Sequence, residues 1–123
     1  MLDTSVAIHL RDGDGGVRDR ILTLNSTPVL SIITQIELEG GVVGADATIR
    51  RQRLDRMFAV MPILPFVADD VERYRAIIAT KGFSRRKTMD RLIAAQAIRA
   101  NATLVTLNGD DFRDIPGLTL LEW

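Results

Sequence analysis

An α/β domain, with a short and mostly parallel central sheet between helices on both faces, is the fold class this sequence predicts, on three observations. Short apolar runs rich in β-branched residues ("TPVLSIIT", "PILPFV", "ATLVTL", "GLTLLEW") alternate with longer segments whose apolar residues recur at helical spacing. Residues that start and stop helices fall at the joins. The 123 residues suit one domain spanning 1–123, long enough to bury roughly two-thirds of the surface the unfolded chain would expose. No repeat, linker or low-complexity segment divides them.

The opening "MLDTSVAIHL" has room only for a truncated strand, after which Asp3, Thr4 and Ser5 start a helix that aligns Val6 and Leu10. "DGDGG" then turns the chain into a short helix near 16–25, with Val17, Ile21 and Leu24 on one face. "TPVLSIIT" suits a strand buried on both faces. Thr34 is placed to cap the next helix, which runs to about Gly44. A second amphipathic helix follows in "ADATIRRQRLDRMFAVM", marked by Ile49, Leu54, Met57, Phe58 and Met61. After the strand "PILPFV", "DDVERYRAIIATKG" carries acids in its first turn and Lys81 with Gly82 at its end, the polarity a helix dipole favours. "KTMDRLIAAQAIRAN" is a further helix, and "ATLVTL", a polar turn and "GLTLLEW" complete the sheet.

Composition narrows the chemistry. Apolar residues make up 46% and charged residues 26%, an ordinary globular balance, and no apolar run approaches the roughly 18 residues of a membrane span. The absence of cysteine excludes disulfides and thiolate metal sites. No charged-then-apolar leader is visible, so a soluble, cytoplasmic protein is expected. Sixteen basic and sixteen acidic residues cancel, and a polyanion would have to be held by local patches.

Five carboxylates raise a question of purpose. Taken singly, each has a structural explanation: Asp3 as a helix cap, Glu37 as the reciprocal partner of Thr34 in a capping box, Asp90 in a first helical turn, Asp110 and Asp111 as turn residues. Taken together, they fall where ligands bind in parallel sheets, at the carboxyl ends of strands and the starts of the following helices. Like charges gathered there repel by several kcal/mol at intermediate dielectric, so a cation is required among them. Oxygen-only donors suit Mg²⁺ or Mn²⁺ rather than zinc, and four carboxylates can support one ion or two about 4 Å apart. His9, the only histidine, reads as a packing or surface residue.

Other motifs fail. "DGDGG" opens like a calcium loop, but the twelfth position holds Thr23 where a bidentate Glu is needed. "GGVVG" does not follow a strand, and no nucleophile elbow occurs.

The stretches "LDTS", "TQIELEGG", "MDRLIAAQA" and "LVTLNGDDFRDIPGL", in this order over nearly the whole chain, resemble the PIN-domain ribonucleases, specifically the VapC-type toxins of bacterial type II toxin–antitoxin pairs. The resemblance implies a PIN-like α/β/α domain with Asp3, Glu37, Asp90 and Asp111 as the acidic metal and catalytic positions. Thr4, Thr106 and Asn108 would line the same pocket. Asp111 directly precedes Phe112, which selects it, and Asp110 is the substitute. The implied activity is Mg²⁺-dependent endoribonucleolytic cleavage, with Mn²⁺ able to replace Mg²⁺. The implied partners are RNA, a VapB-type antitoxin and a second copy of the chain, with no membrane.

RNA would need positive charge beside the metal, and Arg85, Arg86 and Lys87 immediately precede Asp90. "RRQRLDR", 50–56, reads instead as an exposed helix face or partner surface. Two competitors remain: a receiver-like phosphoacceptor domain, which should carry an acidic pair after strand 1 where Asp3 stands alone, and a catalytically silent binding module with the PIN fold.

Overall fold

The computed structural model describes all of residues 1–123. Its helices are α1 (Thr4–Asp12), α2 (Gly15–Leu22), α3 (Ile32–Gly40), α4 (Ala47–Val60), α5 (Ala68–Lys81) and α6 (Thr88–Arg99). The strands are β1 (Leu30–Ser31), β2 (Ile63–Leu64), β3 (Leu104–Thr106) and β4 (Leu120–Glu122), and Gly109–Asp111 forms a single 3₁₀ turn.

Leu2 joins the sheet. β1 pairs in parallel with β2 and β3 with β4, while Leu2 bridges both Leu30 and Val105. The order is therefore β2, β1, Leu2, β3, β4, all parallel. Leu2 N donates to Val29 O, Asp3 N to Val105 O and Val105 N to Met1 O, each at 2.9 Å. The expected truncated first strand is thus a single bridging residue, followed at once by α1.

Alternation along these short strands feeds two cores. Met1 and Leu104 face Ile33, Ile77, Ile93 and Phe112 on one side. Leu2 and Val105 face Val6, Val17, Leu38, Leu54 and Met57 on the other. The period of two along a strand separates the two layers, and the α/β/α arrangement follows.

Several boundaries differ from expectation for local reasons. α3 starts two residues before Thr34, because the Ser31 hydroxyl accepts from Ile33 N at 2.9 Å and takes the cap position. Thr34 is therefore inside the helix and fully buried, and the capping box with Glu37 does not form. α3 ends at Gly40 rather than Gly44, and α2 ends before Leu24. In α4 Leu54 and Met57 are buried, as is Met61 just past its end, but Ile49 is exposed. β2 is confined between Pro62 and Pro65, which offer no backbone donor to extend the ladder.

α5 and α6 pack as a pair. The fully buried Asp70 carboxylate accepts from Val67 N at 2.7 Å, capping α5, and from Arg99 Nε in the last turn of α6. Gln96 Nε2 donates to the carbonyls of Leu64 and Pro65 at 2.9 and 2.8 Å, fastening α6 to the end of β2.

Candidate active site

Four segments deliver acids to the carboxyl-end rim of the sheet. Asp3 follows the Leu2 bridge directly, and its buried carboxylate is held by one oxygen. Oδ2 accepts from Ser5 N at 3.3 Å, from Ser5 Oγ at 2.7 Å and from Thr106 Oγ1 at 2.9 Å. Thr106, at the end of β3, in turn accepts from Asn108 N at 2.9 Å, and Ser5 Oγ accepts from Leu107 N at 3.1 Å. Two short hydroxyl residues thereby lock the start of α1 to the end of β3. Oδ1 of Asp3 is left without such a partner.

Glu37 lies in the second turn of α3, not the first, a consequence of the earlier cap at Ser31. Its Oε2 accepts from the Thr4 hydroxyl, which also lies 3.3 Å from Thr34 Oγ1. Burial raises the Glu37 pKa above its ordinary value; the Thr4 hydrogen bond opposes the rise and the Asp3 charge adds to it. Asp90, in the first turn of α6, is more strongly affected: burial, then the charges of Asp111, Asp3 and Glu37, push it to about 6, with Lys87 pulling weakly the other way. Asp111, Asp3 and Glu37 thus all bear on the protonation of Asp90.

An open cavity of about 360 Å³ is lined by Asp3, Thr4, Glu37, Asp90 and Asn108, with Ser5, Ile8, His9 and Leu107 completing the wall. Asp111 faces an adjoining recess that shares Leu107 and Asn108 with this cavity. Asp110 lines that recess too, but its side chain is 91% exposed and tied to Arg113. His9 is exposed and its Nδ1 lies 3.0 Å from Asp14 Oδ2, in keeping with a surface role. No three of the carboxylates stand close enough together to ligate one ion at once.

Of the basic residues, Lys87 Nζ lies 3.9 Å from Asp111 Oδ1, while Arg85 and Arg86 are exposed without an acidic partner. Sequence reasoning missed Ser5 as more than a helix starter, although a hydroxyl two residues after the acid was the available signal. It also missed Glu122. The Glu122 carboxylate sits where a side chain on Gly109 would be, 2.1 Å from the position of a Cβ, and pairs with Arg113, so any side chain at 109 would displace Glu122 from the turn carrying Asp111.

Residues 1–118 match the family model of the PIN domain. The chain is 33% identical over 130 residues to Ribonuclease VapC2 of Rickettsia felis, an alignment covering 100% of this chain and 96% of the relative. Among solved structures it is similar to VapBC2 from Rickettsia felis bound to a DNA fragment from its promoter, with TM-score 0.89 and 30% identity over 100% of this chain and 97% of that one. It is also similar to VapBC-1 from nontypeable Haemophilus influenzae, with TM-score 0.83 and 25% identity over 100% and 96%. On this evidence the chain belongs to the PIN-domain family, among its VapC-type members.

Proposed function

We propose that this protein is a Mg²⁺-dependent endoribonuclease, the toxin of a toxin–antitoxin pair. The observation that carries the reading is geometric: Asp3, Glu37 and Asp90 line one cavity with Asp111 in the adjoining recess, where Lys87 is the cation paired with Asp111. The acids of this set are all oxygen donors, and His9, which lines the same cavity, is engaged with Asp14, so the set fits a hard divalent ion. Mg²⁺ keeps several of its waters, so the spacing is compatible with one or two direct carboxylates and the others acting through water. When bound, the ion would supply an acidified water and neutralise charge on the phosphate oxygens.

The chain's own residues prepare this chemistry. Ser5 and Thr106 fix Asp3 by one oxygen, Thr4 orients Glu37, and no nucleophilic side chain is needed because water attacks. Arg85, Arg86 and Lys87 would hold phosphates on either side of the cut. The name of the Rickettsia relative, a ribonuclease, supports RNA as the substrate, and the VapBC structures support a VapB-type antitoxin as partner. An apolar groove of about 440 Å³ between α1 and α4, lined by Leu10, Met57 and Val60 and edged by Arg53 and Arg56, suits an amphipathic antitoxin segment carrying acids. A homodimer is part of the same reading and is checked by mass in solution.

The test is cleavage of single-stranded RNA by purified protein with Mg²⁺ or Mn²⁺ and with a chelator. Cutting that needs the ion and disappears in Asp90→Asn is expected. Labelling by acetyl phosphate without cutting would instead favour the receiver-like domain, and neither result would leave a silent binding module.

A further inference from the structure

Phe83 is the only one of the six aromatic residues that is exposed; Phe112 is fully buried and Phe58, Phe66, Tyr74 and Trp123 are at least partly covered. At 72% exposure, its ring gives up to water most of the surface that would stabilise the fold if buried. The segment that presents it is nevertheless tied down. Gly82 leaves α5 with φ +74°, a conformation that favours glycine, and its carbonyl accepts from Arg91 Nη1 of the buried Arg91 side chain. The Thr88 hydroxyl donates to Ser84 O at 3.0 Å and Lys87 N to the same carbonyl at 3.2 Å, closing a turn over 84–88.

This turn leads directly into the acidic site. Lys87 reaches Asp111 and Asp90 opens α6 three residues later, so Phe83 stands within about 14 Å of Lys87 along even a fully extended chain. Between the two lie Arg85 and Arg86, both exposed and without acidic partners. An exposed ring followed by free cations on a pinned turn is the combination by which proteins hold single-stranded nucleic acid: cations track phosphates and the ring offers its face to a base.

We propose that Phe83 is a base-stacking residue, which receives an unpaired nucleobase flanking the cut and so selects single-stranded over helical RNA. This rests on the nuclease reading above. A base can lie on the ring only when it is splayed from its neighbours, because in an A-form helix base faces are buried in the stack. The preference is for single strands rather than for one sequence, since every base offers a π-face.

The experiment measures binding of a fluorescein-labelled 12-nucleotide single-stranded RNA of mixed sequence by anisotropy in chelator, and its cleavage with Mn²⁺. The proteins are wild type, Phe83→Ala, Phe83→Leu and Phe83→Trp. Phe83→Ala is expected to lose between about 5-fold and 100-fold in affinity, with KM rising and kcat held. The salt slope should stay unchanged, because no charge is removed. Phe83→Trp should restore binding and Phe83→Leu should not. Replacing the RNA by a duplex of the same length should erase the difference between wild type and Phe83→Ala.

Equal binding by Phe83→Ala, or rescue by leucine, overturns stacking while leaving a cutting wild type as a nuclease. A loss that accompanies a fall in solution mass overturns it too, by making Phe83 a contact between copies of the chain. A wild type that neither binds nor cuts removes both readings.

Discussion

Asp70 and Asp90 lie against opposite ends of the same helix and are both withdrawn from water, yet the molecule treats them in opposite ways. Asp70 is the more deeply buried, with no exposed surface at all, and the chain provides everything it needs: the Val67 N–H at 2.7 Å and the guanidinium of Arg99. Asp90 is less buried, yet its affinity for a proton rises, first because that burial is not offset by a paired cation and then because Asp111, Asp3 and Glu37 carry like charge. Depth of burial does not separate a structural acid from a functional one. What separates them is whether the neighbouring charges are opposite or like, and on the proposed reading the like-charged cluster is where an ion from outside binds.

The largest effect that would sharpen this contrast is on folding. Arg99→Met leaves the Asp70 carboxylate buried without its cation, and should cost about 3–5 kcal/mol, the usual penalty for breaking one side of a buried pair. Urea denaturation measures it. Activity per folded molecule should survive, and a variant that folds normally would show that Asp70 carries no uncompensated charge. Asp90→Asn should behave in the reverse sense. RNA cleavage should fall at least about 100-fold, as when a metal site loses a supporting oxygen, while the fold persists. Cleavage at wild-type rate would remove Asp90 from the chemistry and with it the functional half of the comparison.

How much of this was legible before any coordinates depended on whether a residue's role is local. The helices from Ala68 and from Thr88 follow from their periodicity and end charges, which act within a single turn. The acids of the rim were legible because strand ends are predictable in a parallel sheet, and the family resemblance selected among them. The start of α3 was not, since Ser31 and Thr34 offer the same hydroxyl and only the end of β1 decides between them. Ile49 fits the stripe of α4 by spacing but is exposed, whereas Leu54 and Met57 further along are buried. Glu122 against Gly109 was invisible, because a contact across 13 residues between a turn and a last strand leaves no periodic trace.

A smaller effect tests what the rim demands. If Asp90 belongs to a site that takes a cation, Mg²⁺ at about ten times its dissociation constant should stabilise the folded protein by about 1.4 kcal/mol, since binding to the native state alone shifts the folding equilibrium. Thermal unfolding with and without the ion reads this directly and requires no RNA. Wild type should melt higher with Mg²⁺ and Asp90→Asn should gain much less. An equal gain in both would place the ion elsewhere.

The smallest effect concerns the protein without metal, and its sign is opposite to that of most salt-bridged acids. The folded pKa of Asp90, about 6, exceeds its ordinary 3.8, so the native state holds the proton more tightly than the unfolded chain. No penalty exists below about pH 3, where both states are protonated. As pH rises from 3.8 to 6 the unfolded chain ionises first and stability is lost, and the cost is complete above about 6. Taken at face value the shift corresponds to at most about 3 kcal/mol, and partial exposure screens it to about 1 kcal/mol. Asp90→Asn removes that cost, so in chelator at pH 7.5 the inactive variant should melt about 3–5 °C above wild type. The gap should close as the pH is lowered to about 3. A wild type that melts higher at pH 7.5 would mean that Asp90 already has a resident positive partner, as Asp70 has in Arg99, and the distinction between the two acids would fail.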